Sequence, residues 1–367
     1  MALYYGADPS RFGNNAANST SLPDGGNNDL FLKVFAGEVI TTFEEMNTML
    51  PLHRVRTIAS GKSASFPVAG VASAQYHTPG ESLMDAGTDT SDPADGTADA
   101  TKYLSKPNAS ERLIYIDDLL VSSTFIANID EAKNHYDVRS IYSTEIGRAL
   151  SYVADKNLIR TVIAGARADK DRFGGTTATL LGDKIDCGAD ATPTADELAD
   201  GIVTAAQKMD EASVPGDGRY AILTPAHYYT LMKGAKDYID RDYAGQGSLA
   251  EGVITSVAGV RILKSNHVPT TDESSATNVH NNAGVLNDVF DVHDSTGTTG
   301  AGYGGATFAN TFGIVFQTEA VGTVKLMDLA VETEYSVDRQ GTLLAAKYAM
   351  GHGVLREECC YELCNDG

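Results

Sequence analysis

DVRSIYSTEIGRALSYVADKNLIRTVIAGAR, residues 137–167, is the stretch whose reading decides the fold. Val138, Tyr142, Ile146, Ala149, Leu150, Val153, Leu158 and Val162 recur in it at steps near three and four. That spacing is the apolar stripe of an amphipathic helix, interrupted once at Asn157. Asp137 suits the N-cap, because its carboxylate can accept the free amide hydrogens of the first turn. Arg167 and Lys170 stand near the end where partial negative charge gathers. About thirty residues make roughly 45 Å of helix, long for an ordinary domain. Periodicity alone supports a core helix and no more; the surrounding sequence says what is built on it.

The approach to this helix reads NHYDVRSIY, residues 134–142. Further stretches stand in a fixed order around it: LFLKVFAGEV (30–39), RTIASGKSASFPV (56–68), TPGESL (78–83), AVGTVKLMDLAVE (320–332) and AKYAMGHGVLRE (346–357). In this order they resemble the major capsid proteins of short-tailed, T7-like phages (podoviruses). Regions 84–112, 168–218 and 270–310 add nothing to the resemblance. It implies an α+β chain with the HK97-like capsid fold. Residues 1–50 would be an N-terminal arm, and 51–112 an extended loop (E-loop hairpin) that lies across an adjacent subunit. Residues 113–192 would be a peripheral domain with the long spine helix, and 193–311 an axial domain. Residues 312–367 would be strands returning to the peripheral domain.

Composition agrees with a large folded chain. There are 367 residues, 42% of them apolar, enough for an elaborated fold or two to three domains. Asp and Glu total 49 against 28 Lys and Arg, a formal charge of -21. Such a surface repels phosphates and anionic membranes, which argues against sequence-specific DNA binding but not against enclosing DNA. No run of eighteen apolar residues offers a membrane span. The start, MALYYGADPSRFGNN, lacks the basic region and apolar core of a secretory signal. Four cysteines in so long a chain do not make a disulfide framework.

Taken in order, residues 1–28 are rich in Asn, Gly and Ser, and are expected to need a neighbour to become ordered. Asp29 caps an expected helix to Met49 with the stripe Phe35, Val39, Phe43, Met46 and Leu50, ended by Pro51. Residues 52–76 and 111–126 read as extended runs, joined by a polar, acidic segment with little to bury. They predict a projecting hairpin that wants a partner surface. A loop is expected over 169–193. Thr194 and Glu197 then match a capping box, with Leu198, Ile202, Ala205, Ala206 and Met209 at helical spacing. A strand at 219–223, a helix at 225–233 and a strand at 257–263 argue for an α/β subdomain. VAGVRILKSNHVP, 257–269, is similar to a strand-loop of the HK97-like axial domain. Residues 270–310 read as a surface insertion. FGIVFQ, TVKLMDLAVE, LLAAKYAM and GVLREECCYEL return to strands.

Candidate chemistry is thin. Gly61, Lys62 and Ser63 copy the end of a phosphate-binding loop, but Arg56 stands where its first glycine belongs and a strand-like run follows. GTTGAGYGG, 297–305, has no strand before it and no helix after it. Asp89, Asp92, Asp95 and Asp99 lack the alternate-residue ligands and closing Glu of an EF-hand, so a solvated acidic tip is expected. Cys359, Cys360 and Cys364, with His352 upstream, lack the paired CxxC units of a zinc ribbon. They read as buried or terminal thiols near an end expected to fray, with an intersubunit disulfide as the alternative. His53, His77, His135, His227, His267, His280, His293 and His352 form no i, i+4 pair and adjoin no nucleophile motif.

No residue is therefore assigned a catalytic, cofactor-binding or metal role, and no cofactor is expected. The expected function is a major capsid protein, not an enzyme. It self-assembles as pentamers and hexamers into an icosahedral (T = 7) head around double-stranded DNA. The resemblance implies portal and scaffolding partners, location in the virion and assembly in the host bacterial cytoplasm. The alternatives are an encapsulin-like compartment shell, distinguished by protein cargo, and an acidic secreted calcium-dependent adhesin or hydrolase, distinguished by a calcium titration.

Overall fold

The computed structural model describes residues 48–70, 109–117, 119–127, 138–169, 180–188, 192–234, 256–273 and 307–365. Short pieces among 72–80, at 129 and 173, and at 247–248 and 253–254 are also described. Asp137, the expected helix from Asp29, the acidic tip at 81–108 and residues 274–306 lie outside them.

The long helix, α1, runs Val138–Ala166. It supports two sheets, and its two halves bury differently. In the first half Ile146, Leu150 and Ala154 pack with Ile126, Ala346, Tyr348 and Met350. In the second half Leu158, Ile159, Val162, Ile163 and Ala166 sink into the main core. There the helix is covered nearly all round, and Asp155, Asn157, Arg160 and Thr161 are buried with it. A single stripe does not describe such a helix. Ala149, placed on the stripe by spacing, is exposed, and Val153 is half-buried.

The four-stranded sheet has the order β1 (Arg54–Thr57), β12 (Val321–Ser336), β13 (Gly341–Val354), β4 (Leu120–Ala127). β1 runs parallel to β12, and the other pairs are antiparallel. The six-stranded sheet has the order β5 (Asp183–Asp186), β14 (Cys360–Cys364), β11 (Thr311–Gln317), β6 (Arg219–Leu223), β10 (Val260–Lys264), β9 (Ser256–Val257). α2 (Ala195–Glu211) and α3 (Pro225–Gly234) belong to the same region. β6 and β10 are parallel, as a strand–helix–strand unit through α3 requires. Small two-stranded pieces complete the description: β2 (Ser63–Ala69) with β3 (Ala109–Tyr115), and β7 (Gly247–Ser248) with β8 (Val253–Ile254).

α2 forms where the capping box put it. Thr194 N donates to Glu197 Oε2 at 2.7 Å, and Glu197 N donates to Thr194 Oγ1 at 3.4 Å. Leu198, Ile202, Ala205, Ala206 and Met209 are all buried.

Four expectations differ from what is seen. The extended run over 52–76 is broken after β1, where Gly61 takes a φ of +120°. β1 therefore joins the four-stranded sheet and only β2 enters the hairpin. The run over 111–126 divides likewise into β3 and β4. The strand expected over 257–263 is a tight hairpin, because Ala258 and Gly259 take φ of +50° and +78° and reverse the chain between β9 and β10. The loop expected over 169–193 contains β5.

The six-stranded sheet also crosses the boundaries expected at 192/193 and 311/312. β5, β11 and β14 pair into it, while β12 and β13 do not. Every residue of β11 and β14 is buried; α1 packs on both strands, and α2 covers β14 from the other side. Gly165 of α1 abuts Cys360, and Gly201 of α2 abuts Cys187 and Leu363.

Candidate functional site

The feature that stands out from the two sheets is the β2–β3 hairpin. It pairs seven residues a side, from Ser63↔Tyr115 to Ala69↔Ala109. Its roots are short. Ile58 N donates to Lys325 O at 2.9 Å, Ile116 N to Lys62 O at 2.8 Å, and Asp117 N to Met350 O at 3.2 Å. A small satellite core of Ala64, Ile114, Val324 and Leu355, flanked by Ile58, Phe66 and Ile116, glues the base to the four-stranded sheet. Beside it Leu113 is 47% exposed. Arg112 pairs with the buried carboxylate of Glu357, and Arg56 donates to Ser65 O with its guanidinium 5.9 Å from the Phe66 ring. A two-stranded hairpin with so little buried apolar surface is marginal on its own.

A groove of about 240 Å³ runs along the hairpin base, lined by Arg54, Phe66, Pro67, Val68, Glu319, Leu355 and Arg356. Glu319 receives Arg54 and Arg356, each at 2.8 Å, and Arg356 also donates to Glu358 at 2.9 Å. Arg54 is well exposed, so its pair contributes little to stability.

Two buried polar knots hold residues 48–53 to the body. Asp155 of α1, fully buried, accepts from Thr48 N at 2.8 Å and Met49 N at 3.1 Å, and lies 3.0 Å from His267 Nδ1. It therefore joins the start of the described chain to the loop after β10. The second knot runs through two histidines. His53 Nδ1 lies 2.8 Å from Met49 O, a carbonyl that only accepts, so that nitrogen carries the proton. Its Nε2 then accepts from the Thr323 hydroxyl at 2.6 Å, which accepts in turn from His352 Nδ1 at 2.8 Å. Burial pushes both imidazoles below the ordinary histidine value, His352 to about 3, which keeps them neutral.

The polar residues of α1 make further ties. Lys156 and Arg160 both bond Glu273, at 3.0 and 2.5 Å. Asn157, the interruption in the stripe, accepts from Arg160 at 3.0 Å. Periodicity could not reveal these roles, since each partner lies more than a hundred residues away except Arg160.

The motif residues have ordinary positions. Gly61 turns the chain, Lys62 offers its carbonyl to Ile116, and Ser63 opens β2, with no helix to hold a phosphate. Cys187, Cys359, Cys360 and Cys364 are free and buried. Cys359 and Cys360 do not share a strand, because a 3-10 turn at Glu357–Cys359 precedes β14. The end expected to fray is a strand between β5 and β11, with Cys187 N donating to Cys364 O at 2.9 Å and Asn365 N to Asn310 O at 3.0 Å. His227 is half-buried against Phe312, and His77 is exposed. His135, His280, His293, the acidic residues Asp89, Asp92, Asp95 and Asp99, and the 297–305 stretch lie outside the described residues. Among the described residues no cluster of His, Cys, Asp or Glu could hold a metal ion, and no helix is long and apolar enough to cross a membrane.

Comparison with known proteins adds four findings. Residues 65–364 match a family described as Gp10A-like, major capsid protein. The chain is 31% identical over 345 residues to the major capsid protein of Enterobacteria phage T3, covering 90% of this chain and 89% of that protein. It is 32% identical over 336 residues to the major capsid protein of Escherichia phage T7, covering 90% of each. Among solved structures, the capsid of cyanophage P-SCSP1u superposes with a TM-score of 0.69 at 37% identity, over 97% of this chain and 98% of that one.

Proposed function

The chain belongs to the Gp10A-like major capsid proteins, and from that premise we propose how its copies join and what they enclose. As a T7-like major capsid protein it is a structural component of the phage virion with the HK97-like fold, not an enzyme, and its copies form the head shell.

Copies join as pentamers and hexamers into an icosahedral T = 7 head around double-stranded DNA. One observation carries this reading: the β2–β3 hairpin leaves the body on short roots with too little buried surface to stand alone. A neighbouring subunit supplies the missing surface. In this reading residues 1–50 are the arm, 51–112 the extended loop, 113–192 and 312–367 the peripheral domain, and 193–311 the axial domain. β5, β11 and β14 carry the axial sheet across those limits. The excess of acidic residues supports a shell that contains DNA without gripping it. A portal and a scaffolding protein are the partners that such a shell needs to close around a genome in the host cytoplasm.

Electron microscopy of particles from cells expressing the chain, alone and with its neighbouring genes, tests this. Closed shells of one diameter, built of fives and sixes, are expected. Only monomers, across protein concentration and salt and with the neighbouring gene products present, would overturn it.

A further inference from the structure

Gly322 and Gly353 face each other across β12 and β13, in register. Ile114 of the hairpin sits on this pair. A Cβ on Gly353 would lie 2.9 Å from Ile114 Cγ1, and a Cβ on Gly322 3.2 Å from Ile114 Cδ1. Neither glycine has a positive φ. The backbone therefore does not demand glycine here; at Gly353 the close approach of Ile114 does, and at Gly322 that of Leu355, 2.9 Å away at Cδ1, together with Ile114. The atom that would collide is the Cγ1 of a β-branched side chain with few rotamers, so relief has to come from the hairpin strand itself.

We propose that this seat is the pivot that fixes the angle of the β2–β3 hairpin on the body and, through it, the curvature and size of the shell. The inference rests on the reading that the hairpin contacts a neighbouring subunit. Three features support it. The hairpin forms its own two-stranded sheet, so no ladder bonds tie it to the four-stranded sheet. Its connections lie between Thr57 and Ser63 and between Tyr115 and Leu120, both short, and one contains Gly61 at a φ of +120°. Ile114 is 2% exposed and lies near the root, two residues from Ile116, while Ala109 lies seven residues from it. At about 3.3 Å per residue, the five residues from Ile114 to Ala109 make a lever of roughly 16 Å, so a small rotation at the seat is enlarged by the end of the described strands. Arg112 with Glu357 is a second tie, but Arg112 is partly exposed and its long side chain can follow a small rotation. In a closed shell the same seat repeats at every subunit, so a small change at each one adds up to a different radius.

The test changes the filling of the seat from both sides. Gly353→Ala adds one carbon under Ile114, Ile114→Ala removes three, and the double variant puts one back from the other side. Particles of each are sized by cryo-electron microscopy beside the wild type, with the melting of each unassembled subunit recorded. Gly353→Ala is expected to shift the diameter or leave open sheets. Ile114→Ala is expected to broaden the diameters, and the double variant to narrow them part of the way back toward the wild-type peak. Wild-type diameters in all three overturn the pivot while leaving the shell function standing. If Gly353→Ala has no cooperative melt, Ile114→Ala decides: a broadened distribution supports the pivot, and a single wild-type diameter overturns it. A wild-type chain that forms no shell removes the assembly reading, and this inference with it.

Discussion

Arg167 grips Glu362 with two parallel bonds, Nε to Oε2 at 2.6 Å and Nη2 to Oε1 at 2.7 Å. Glu362 has no exposed surface and also accepts from Thr311 Oγ1 at 2.6 Å. This pair locks the last residues of α1 to β14, the strand that α1 and α2 sandwich. Arg167→Ala would leave a buried carboxylate without its cation, at a cost of about 3–5 kcal/mol. Arg167→Lys offers a point charge where a planar fork fits, and should recover less than half of that. Chemical denaturation of the unassembled subunit measures both. A lysine variant as stable as wild type would show that the fork geometry does not matter.

The histidine relay predicts acid sensitivity. Burial holds His352 near 3 when folded, against about 6.5 in an unfolded chain. The unfolded state then binds the extra proton, so this stability is whole above about pH 6.5. It drains as pH falls toward 3, at up to about 1.4 kcal/mol per pH unit for one site. Depression of His53 acts in the same direction. His352→Asn keeps a donor near the Nδ1 position but cannot titrate. Its stability curve should be flatter between pH 6.5 and 5 by close to that slope, whatever its absolute stability. Parallel curves would assign the acid loss to other groups.

The four thiols should be silent in the folded subunit. Burial raises the Cys187 thiol to about 12 and Cys360 well above its ordinary value, and all four side chains are out of solvent. A thiolate is the reactive form. An aromatic disulfide reagent should therefore titrate none of them before unfolding and four after it. One thiol modified at native rates in a subunit that still melts cooperatively would contradict the burial of β14.

How much of this was legible from sequence depended on how local the determinant was. α2 was readable because its cap and stripe lie within sixteen residues of Thr194. β6 was readable for the same reason. β11 and β14 read as strands, yet nothing in their largely apolar runs says which neighbour they pair with, because strands buried on both faces show no alternation. The break after Thr57 was missed because Gly61 looked like part of a strand. The relay from His53 to Thr323 spans 270 residues, and Asp155 to His267 spans 112, so no spacing rule could join them. Asn157 was a blemish on a helical stripe until the chain closed around it, and Asp155 drew no reading at all.

The helix face read from periodicity gives a further prediction. Ile146 is 6% exposed and packs with Ile126, Ala346 and Tyr348 on the four-stranded sheet. Ile146→Asp would bury a carboxylate with no cation among those neighbours, costing several kcal/mol. Insoluble or unassembled protein is expected. A soluble variant that builds normal heads would put α1 on a different surface.

Asp155 gives the last prediction, because its two oxygens do different work. Thr48 N bonds Oδ2, and Met49 N bonds Oδ1. Asparagine is the same size but offers one acceptor oxygen, so Asp155→Asn must turn an NH2 group toward one of the two backbone amides. A buried donor facing a donor costs about 1–3 kcal/mol. The loss should be local, since Leu158, Ile159 and Val162 hold the helix independently through the main core. Residues 48–52 are then expected to exchange their amide hydrogens faster, while residues 158–166 keep wild-type protection. Peptide-resolved hydrogen exchange on the unassembled subunit reads both at once. Faster exchange throughout α1 would make Asp155 a general core residue. Unchanged protection at 48–52 would mean that the carboxylate does not clamp the junction with residues 1–47, and that the His53 bond to Met49 O holds it alone.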